Sequence, residues 1–395
     1  MKKSSDYCFL ALFFLVLFAV PALILFHGAK GRTSYYENRV LASKPLPERE
    51  SVLSGDYFSQ WDTWLTDHVA GRERLLKLNT WVDYALLRRP VVNDIVVSGD
   101  VLLPFQTYGH WDLGYLADMA DAAGDRLSAL DGLVDSYGGK FYYLGIPLQN
   151  AYFYDKYPDY LENRKWHIDA MSDAFSGALK ARGIDFLDME AVYGDLGRPE
   201  GYFSASDHHF TYYGAFAAYR AMMEHINDDS GLDLPILSEN EIVFEDLQNP
   251  FLGSRNREIY GLWSGKEPLT VGTIVNEIPF TRMDNGAEVP ATLYDLPADA
   301  AAQVTYDVYM GGDKAETILQ TNRPELPNLL IFGDSFTNPL ETLFYAGFNE
   351  TRSLDLRHYT EQGILAYIQE YQPDVVICVR DDTAYLSLEG NGDIH

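Results

Sequence analysis

The sequence predicts an α/β protein, a three-layer sandwich in which a mostly parallel sheet carries helices on both faces. Three observations point there. Short apolar runs alternate with helix-spaced patterns along most of the chain. The stretch Asn328–Thr337, NLLIFGDSFT, reads as a buried strand running through a tight turn into a helix start. The 395 residues, 47% of them hydrophobic and including 28 Tyr and 21 Phe, suffice for one large core domain with decoration or for two domains, and argue against disorder.

Taken in order, the chain begins with Lys2 and Lys3 and then Tyr7–Phe26, an uncharged stretch long enough to span a bilayer as a helix. A cleavable secretory signal usually has a shorter apolar region, about 7–15 residues. Cleavage after Ala29 would also put His27 where a small residue is wanted. The expectation is an uncleaved signal anchor over residues 1–29 with a short cytoplasmic tail, a single pass that leaves the bulk of the chain extracytoplasmic. Lys30, Arg32 and Arg39 follow the apolar stretch, so basic residues flank it on both sides.

Residues 30–90 read as a juxtamembrane linker and then a helical region, Ser54–Leu87, with Gly71 as a break. The main domain is expected over residues 91–395. It opens with a hairpin, Val91–Phe105, turning at Ser-Gly-Asp. Helices are expected at Leu113–Tyr137, Trp166–Arg182 (ended by Gly183), Thr211–Ile226, Pro339–Phe348 (capped by Asn338) and Glu361–Tyr371. Strands are expected at Phe141–Ile146, Ile184–Leu187, Leu329–Phe332, Arg352–Leu356 and Asp374–Val379. Residues 231–325, rich in Pro, Gly, Asn and Asp, interrupt this rhythm. They read as an inserted β-rich subdomain or lid, with strand-like pieces at Leu269–Val275 and Gln303–Tyr309.

Composition excludes some functions. The formal charge of −28, from 58 acidic and 30 basic side chains, argues against a nucleic-acid partner, because phosphate binding relies on basic patches. The two cysteines, Cys8 and Cys378, lie in an apolar run and a strand, so no disulfide is expected between them. There is no CxxC or Cys/His zinc spacing, and no cofactor is expected.

Two segments carry chemistry. Gly333-Asp334-Ser335 sits where α/β enzymes present a nucleophile, with N–H groups of a helix start nearby to receive an oxyanion. The same tripeptide also suits an ordinary βα turn. Ser204–Ala218, SASDHHFTYYGAFAA, places Asp207, His208 and His209 just before a helix that Thr211 can cap. His209 can serve as general base for Ser335 with Asp207 orienting it, across an extended segment or a local turn. Alternatively the three side chains can ligate a metal. The metal-dependent phosphoesterases with a similar DHH string need further upstream aspartates, and no convincing set exists here.

SDHHFTYYGAFAAY resembles the Asp-His-His-Trp signature of the DHHW family, with Phe210 in place of Trp. The likeness extends to Tyr36-Glu37-Asn38-Arg39, the Gly55–Arg72 region, Ile146–Gln149, Phe251–Ser254, Gly333–Phe336 and Leu354–Arg357. That family is related to AlgX/AlgJ-type SGNH hydrolase-like proteins, which include polysaccharide O-acetyltransferases. The resemblance implies an SGNH-hydrolase-like, flavodoxin-like fold and a triad of Ser335, His209 and Asp207. It implies a glycan substrate, with an acyl donor or a membrane acyltransferase as partner. Asn150 and Asn338 are candidates for the oxyanion hole, and Arg357 and His208 for substrate contacts. A non-catalytic glycan-binding or assembly protein on a decayed hydrolase fold is the rival, and transferase and esterase both stay open.

Overall fold

The computed structural model describes residues 2–27, 33–37, 39–69, 71–105 and 113–395. Ala29, Lys30, Arg32 and Asn38, named above, lie outside them. The chain divides into two compact units, Met1–Ile95 with Asn256–Ser264, and Val96–Arg255 with Gly265–His395.

In the first unit, Lys2–His27 is a single helix, and its Asp6–Leu25 segment is long and apolar enough to cross a membrane. Ser54–Leu87 is broken twice rather than once. Gly55, at φ 93°, separates helices Arg49–Ser54 and Asp56–Asp67, and Gly71, at φ 74°, precedes helix Arg72–Trp81. Both positions need the left-handed conformation that glycine adopts without penalty. Arg39 closes the unit's N-terminal segment onto the second of these helices, with Nη1 and Nη2 on the two carboxylate oxygens of Asp67 at 2.9 and 2.5 Å. Where the chain passes from this unit to the second, the hairpin expected at 91–105 is a three-stranded meander, Val91–Val92, Ile95–Ser98 and Val101–Pro104. Asn93 and Asp94, both at positive φ, make an additional turn ahead of the one at Gly99.

The second unit is built on an eight-stranded sheet, whose strands we label in chain order. They are β1 (Lys140–Ile146), β2 (Asp185–Asp188), β3 (Thr281–Asp284), β4 (Ala287–Val289), β5 (Glu316–Gln320), β6 (Asn328–Gly333), β7 (Glu350–Leu354) and β8 (Val375–Asp381). Their order across the sheet is β4-β3-β5-β7-β6-β8-β1-β2. The five strands from β7 to β2 are parallel, and β4, β3 and β5 add an antiparallel edge. Read from β6, the parallel part has the flavodoxin-like order 2-1-3-4-5, and the crevice at the carboxyl end of β6 is its topological switch point.

Helices α1 (Gly114–Ser136), α2 (Lys165–Arg182) and α5 (Ile364–Tyr371) cover one face, over Phe141, Tyr143, Leu330, Phe332, Val376 and Cys378. Alternate residues point to the other face. There Tyr142 donates to Asp229 of α3 (Tyr212–Ser230), which packs on α4 (Thr337–Phe344). The α3 sequence buries Tyr212, Ala215, Phe216, Tyr219, Met222, Met223 and Ile226, the spacing of one helical face.

Residues 231–325 are tied into this sheet, supplying β3, β4 and β5, besides an antiparallel ribbon of Ile242–Asp246 with Thr270–Ile274. Gln303–Tyr309 is not a strand. Val304 and Tyr309 each make one isolated bridge, and a 3₁₀ turn, Tyr306–Val308, lies between them, with Thr305 Oγ1 accepting from Asp307 N–H. Asn338 does not cap α4, which already starts at Thr337; its side chain donates instead to Asp313 at 3.0 Å.

All of α4 is buried, including Glu341, which accepts hydrogen bonds from Thr337 Oγ1 at 3.0 Å and Ser353 Oγ at 2.7 Å. Burial pushes its carboxyl up to about 7, against a weaker opposing pull from the two hydroxyls and Arg282. A raised carboxyl favours folding while the pH is below its unfolded value and loses that contribution as pH rises through 7. Between pH 5 and pH 8 the native protein should therefore lose about 3 kcal/mol through this group. Glu341→Gln should flatten the melting temperature over that window by on the order of 5 °C. Parallel pH profiles for the two proteins would remove Glu341 from this role.

Candidate active site

Strand β6 delivers Ser335 to the switch point. Gly333 ends the strand against β8 so closely that a Cβ there would lie 2.2 Å from Val379 O. Asp334 then shapes the turn: its Oδ1 accepts Phe336 N–H at 3.1 Å and its carbonyl accepts Thr337 N–H at 2.9 Å. Ser335 N–H has no acceptor among the described residues and stands at the N-terminal side of α4. Burial, then repulsion from Asp381, pushes the Asp334 carboxyl up to about 7.

The histidine segment is a loop pinned at its base. Phe203 and Phe210 form a bridge, Ser204 N–H donates to His209 O, and Thr211 N–H donates to Tyr202 O. Thr211 caps α3 as expected, accepting from Gly214 N–H. Ser204 Oγ accepts from the N–H groups of Ser206 and Asp207, curling the chain so that residue 207 bonds to residue 209 across a local turn. Glu267 anchors the loop from below, accepting from Ala205 N–H, Ser206 N–H and Ser206 Oγ at 2.7, 3.0 and 2.6 Å.

The three side chains form a linear relay. Asp207 Oδ1 accepts from His209 Nδ1 at 2.7 Å, and His209 Nε2 lies 2.6 Å from Ser335 Oγ. Asp207 Oδ1 also accepts His209 N–H at 3.1 Å, while Oδ2 accepts Ser254 N–H at 2.6 Å. Burial raises the Asp207 carboxyl, but His209 and then His208 and the Ser254 N–H outweigh it and hold it well below the usual carboxylate range. An ionised Asp207 only accepts. The proton of neutral His209 therefore sits on Nδ1, and Nε2 is left to accept the Ser335 hydroxyl.

Aromatic rings fix the imidazole further. Tyr306 lies flat over His209 with centroids 3.7 Å apart and 7° between planes, and Phe336 meets it edge-on at 4.9 Å. Tyr306 is buried, and its hydroxyl has no hydrogen-bond partner among the described residues. Phe210, standing where the DHHW motif has Trp, is buried edge-to-face on Phe336 at 5.0 Å. Its role here is packing beneath the turn that carries Ser335.

The other sequence candidates separate from the relay to different degrees. His208 neighbours it, with Nδ1 2.8 Å from Ser254 Oγ and its ring 3.7 Å from that of His209. Asn150 is fully buried with neither amide atom partnered among the described residues. Asn338 is spent on Asp313, and so is Arg357, whose Nη2 reaches Asp313 at 2.8 Å and Asp355 at 2.5 Å. Neither is aimed at Ser335 Oγ by any described hydrogen bond. The metal reading meets a geometric obstacle. Two ligands of one ion, each about 2 Å from it, stand more than about 3 Å apart. Asp207 Oδ1 and His209 Nδ1 are 2.7 Å apart and bonded to each other.

Ser254, Glu267 and Tyr306 come from the irregular 231–325 interval. Only the first had a signal in the sequence, through the Phe251–Ser254 block. Gly253 explains that block physically, since a Cβ there would lie 2.4 Å from Ser206 O.

A family model described as the SGNH hydrolase-like domain of the acetyltransferase AlgX matches residues 126–246. Among solved structures the chain is similar to PatB1 of Bacillus cereus, at 21% identity and TM-score 0.63, over 75% of this chain and 99% of that one. A second PatB1 structure, with a sulfonyl adduct, matches at 20% identity and TM-score 0.62, over 74% and 95%. A DHHW family protein from Eubacterium siraeum DSM 15702 matches at 18% identity and TM-score 0.56, over 75% and 93%. No curated protein matches the chain in sequence. The fold is SGNH-like, and the stretch matched by the family model includes the DHH block at the centre of the resemblance.

Proposed function

We propose that this chain is an extracytoplasmic SGNH-type O-acyltransferase or esterase acting on acetyl groups of a cell-surface polysaccharide. The observation that carries the reading is His209, whose two ring nitrogens lie 2.7 Å from Asp207 and 2.6 Å from Ser335. The Lys2–His27 helix would anchor residues 1–29 in the membrane, residues 30–90 would space the domain from it, and residues 91–395 would carry the chemistry.

In the mechanism, Ser335 Oγ attacks the acetyl carbonyl as its proton passes to His209 Nε2. Asp207 holds Nδ1–H and stabilises the imidazolium, and the facing Tyr306 ring adds a cation–π contribution. The oxyanion is received by Ser335 N–H at the helix start, with Asn150 as a second donor. Collapse expels the donor alkoxide, which takes the proton from Nε2 and leaves an acetyl-serine. A sugar hydroxyl or water then gives its proton to Nε2 and attacks the acyl carbon; collapse breaks the bond to Ser335 Oγ, which takes that proton back from Nε2 as the acetylated sugar or acetate leaves.

Because Nε2 activates the hydroxyl, an aryl sulfonyl fluoride or fluorophosphonate should modify the intact protein once, with the adduct on the peptide containing Ser335 by mass spectrometry. The PatB1 structure with a sulfonyl adduct supports the choice of reagent. Absence of labelling, together with glycan binding indifferent to Ser335→Ala, would favour the non-catalytic glycan-binding alternative.

A further inference from the structure

A second feature lies at the base of the histidine loop, on the outer side of α3. A groove of about 720 Å³ runs between α3, the helix Met189–Asp195 and the strand Ile242–Asp246. Its lining does not include Ser335, His209 or Asp207. The floor is aromatic. Tyr213 stacks on Phe244 with centroids 4.8 Å apart and 21° between planes, yet Tyr213 remains 42% exposed. Tyr202 and Leu196 extend the apolar wall.

The rim is polar and acidic. Asp195, Glu224, Glu239 and Asn240 border the groove, and the one cationic side chain among its lining residues, Arg220, is paired with Glu224 at 2.8 Å. Arg220 Nε has no partner among the described residues. A flat exposed ring backed by half-buried ones, beside several acceptors and a few donors, suits a hydroxyl-rich ring polymer. The excess of carboxylates, on a chain of net charge −28, repels a polyanion.

The groove and the relay share one loop. Thr211 N–H and Oγ1 bond to Tyr202 O and Gly201 O, closing the loop that carries Asp207 and His209. Tyr213 is four residues from His209, so their Cα atoms are at most about 14 Å apart, within reach of a short oligosaccharide.

We propose that this groove is an acceptor-chain subsite that holds neighbouring sugar rings of an uncharged or amino-bearing glycan while one residue is presented to Ser335. The proposal rests on the reading of the chain as a glycan O-acyltransferase or esterase, and it selects the substrate class within that reading. Uronate polymers and other polyanions are excluded as substrates.

The test uses the full chain in detergent micelles, with neutral β-linked oligosaccharides, amino-sugar oligosaccharides, oligouronates and a basic peptide as calorimetric probes. Neutral or amino-sugar oligomers should bind and oligouronates should not. Tyr213→Ala should weaken that binding about tenfold, the loss of one stacked ring, and Tyr213→Phe should restore it. Melting of each variant controls for folding. The inference is overturned if oligouronates bind best, if Tyr213→Ala leaves glycan binding unchanged, or if the peptide alone binds in a Tyr213-dependent way. Small-ester turnover by the native protein is measured separately. Its absence would count against the acyl-transfer reading, whereas the binding series judges the groove either way.

Discussion

Ser335→Ala in the full chain should lower kcat for acetyl-ester turnover by about four orders of magnitude or more, the usual cost of removing a serine nucleophile. Folding should survive. Ser335 is only partly buried, and the relay bond is the one side-chain hydrogen bond described for its hydroxyl. The loss should fall on kcat with little change in KM, because Oγ makes its new bond only as the reaction proceeds. The measurement is turnover of a nitrophenyl acetate beside a melting curve. A variant that melts normally and retains most of its turnover would rule out Ser335 as nucleophile.

Asp207→Asn should cost about 10⁴-fold in kcat, and the reason is visible in both carboxylate oxygens. Oδ1 accepts from His209 Nδ1 and Oδ2 accepts from Ser254 N–H. An asparagine can satisfy only one of them. If its NH₂ faces Ser254, donor meets donor in a buried place, at about 1–3 kcal/mol. If it faces His209, Nδ1 must become the acceptor, Nε2 carries the proton, and Ser335 loses its base. Either orientation also removes the charge that stabilises the imidazolium. The carboxyl is held far below its ordinary value, so in the native protein Asp207 should not titrate on the acid limb of the kcat/KM profile above pH 4. Near-native kcat in a folded Asp207→Asn would remove Asp207 from its orienting role.

Much of this site was legible in the sequence because its parts are local. Gly333-Asp334-Ser335 follows a continuous apolar strand, and Asp207 and His209 are two residues apart, so their bond needs only a turn. The strand and helix pattern of the parallel sheet was legible for the same reason, since apolar spacing reports burial directly. What was hidden depends on chain segments distant in sequence. Tyr306 reaches His209 from a 3₁₀ turn inside a piece that reads as strand-like, and Glu267 reaches Ser206 from an irregular stretch with no periodic signal. Likewise β3, β4 and β5 are short strands of mixed polarity at the sheet's edge, and they read as insertion because pairing outward from β7, β5 on β7, β3 on β5 and β4 on β3, rather than their own sequence, makes them strands. Asn338 and Arg357 both bond to Asp313, a partner that only the folded chain brings to them.

The order of strands in the sheet also bears on how the chain acquires its site. The first parallel strands, β1 and β2, are complete by Asp188 and pair with each other, but the other neighbour of β1 is β8, with Lys140 opposite Val375. The strand that leads into Ser335, β6, lies between β7 and β8, both of which follow it in the chain. A growing chain therefore holds Asp207 and His209 long before any partner can be presented to them. Pairings this remote in sequence close slowly and late. The chemistry would switch on in one step, when β8 docks between β6 and β1 and the sheet becomes continuous. Shortened chains that stop before Asp381 should accumulate as helix-rich, inactive species rather than as weak enzymes.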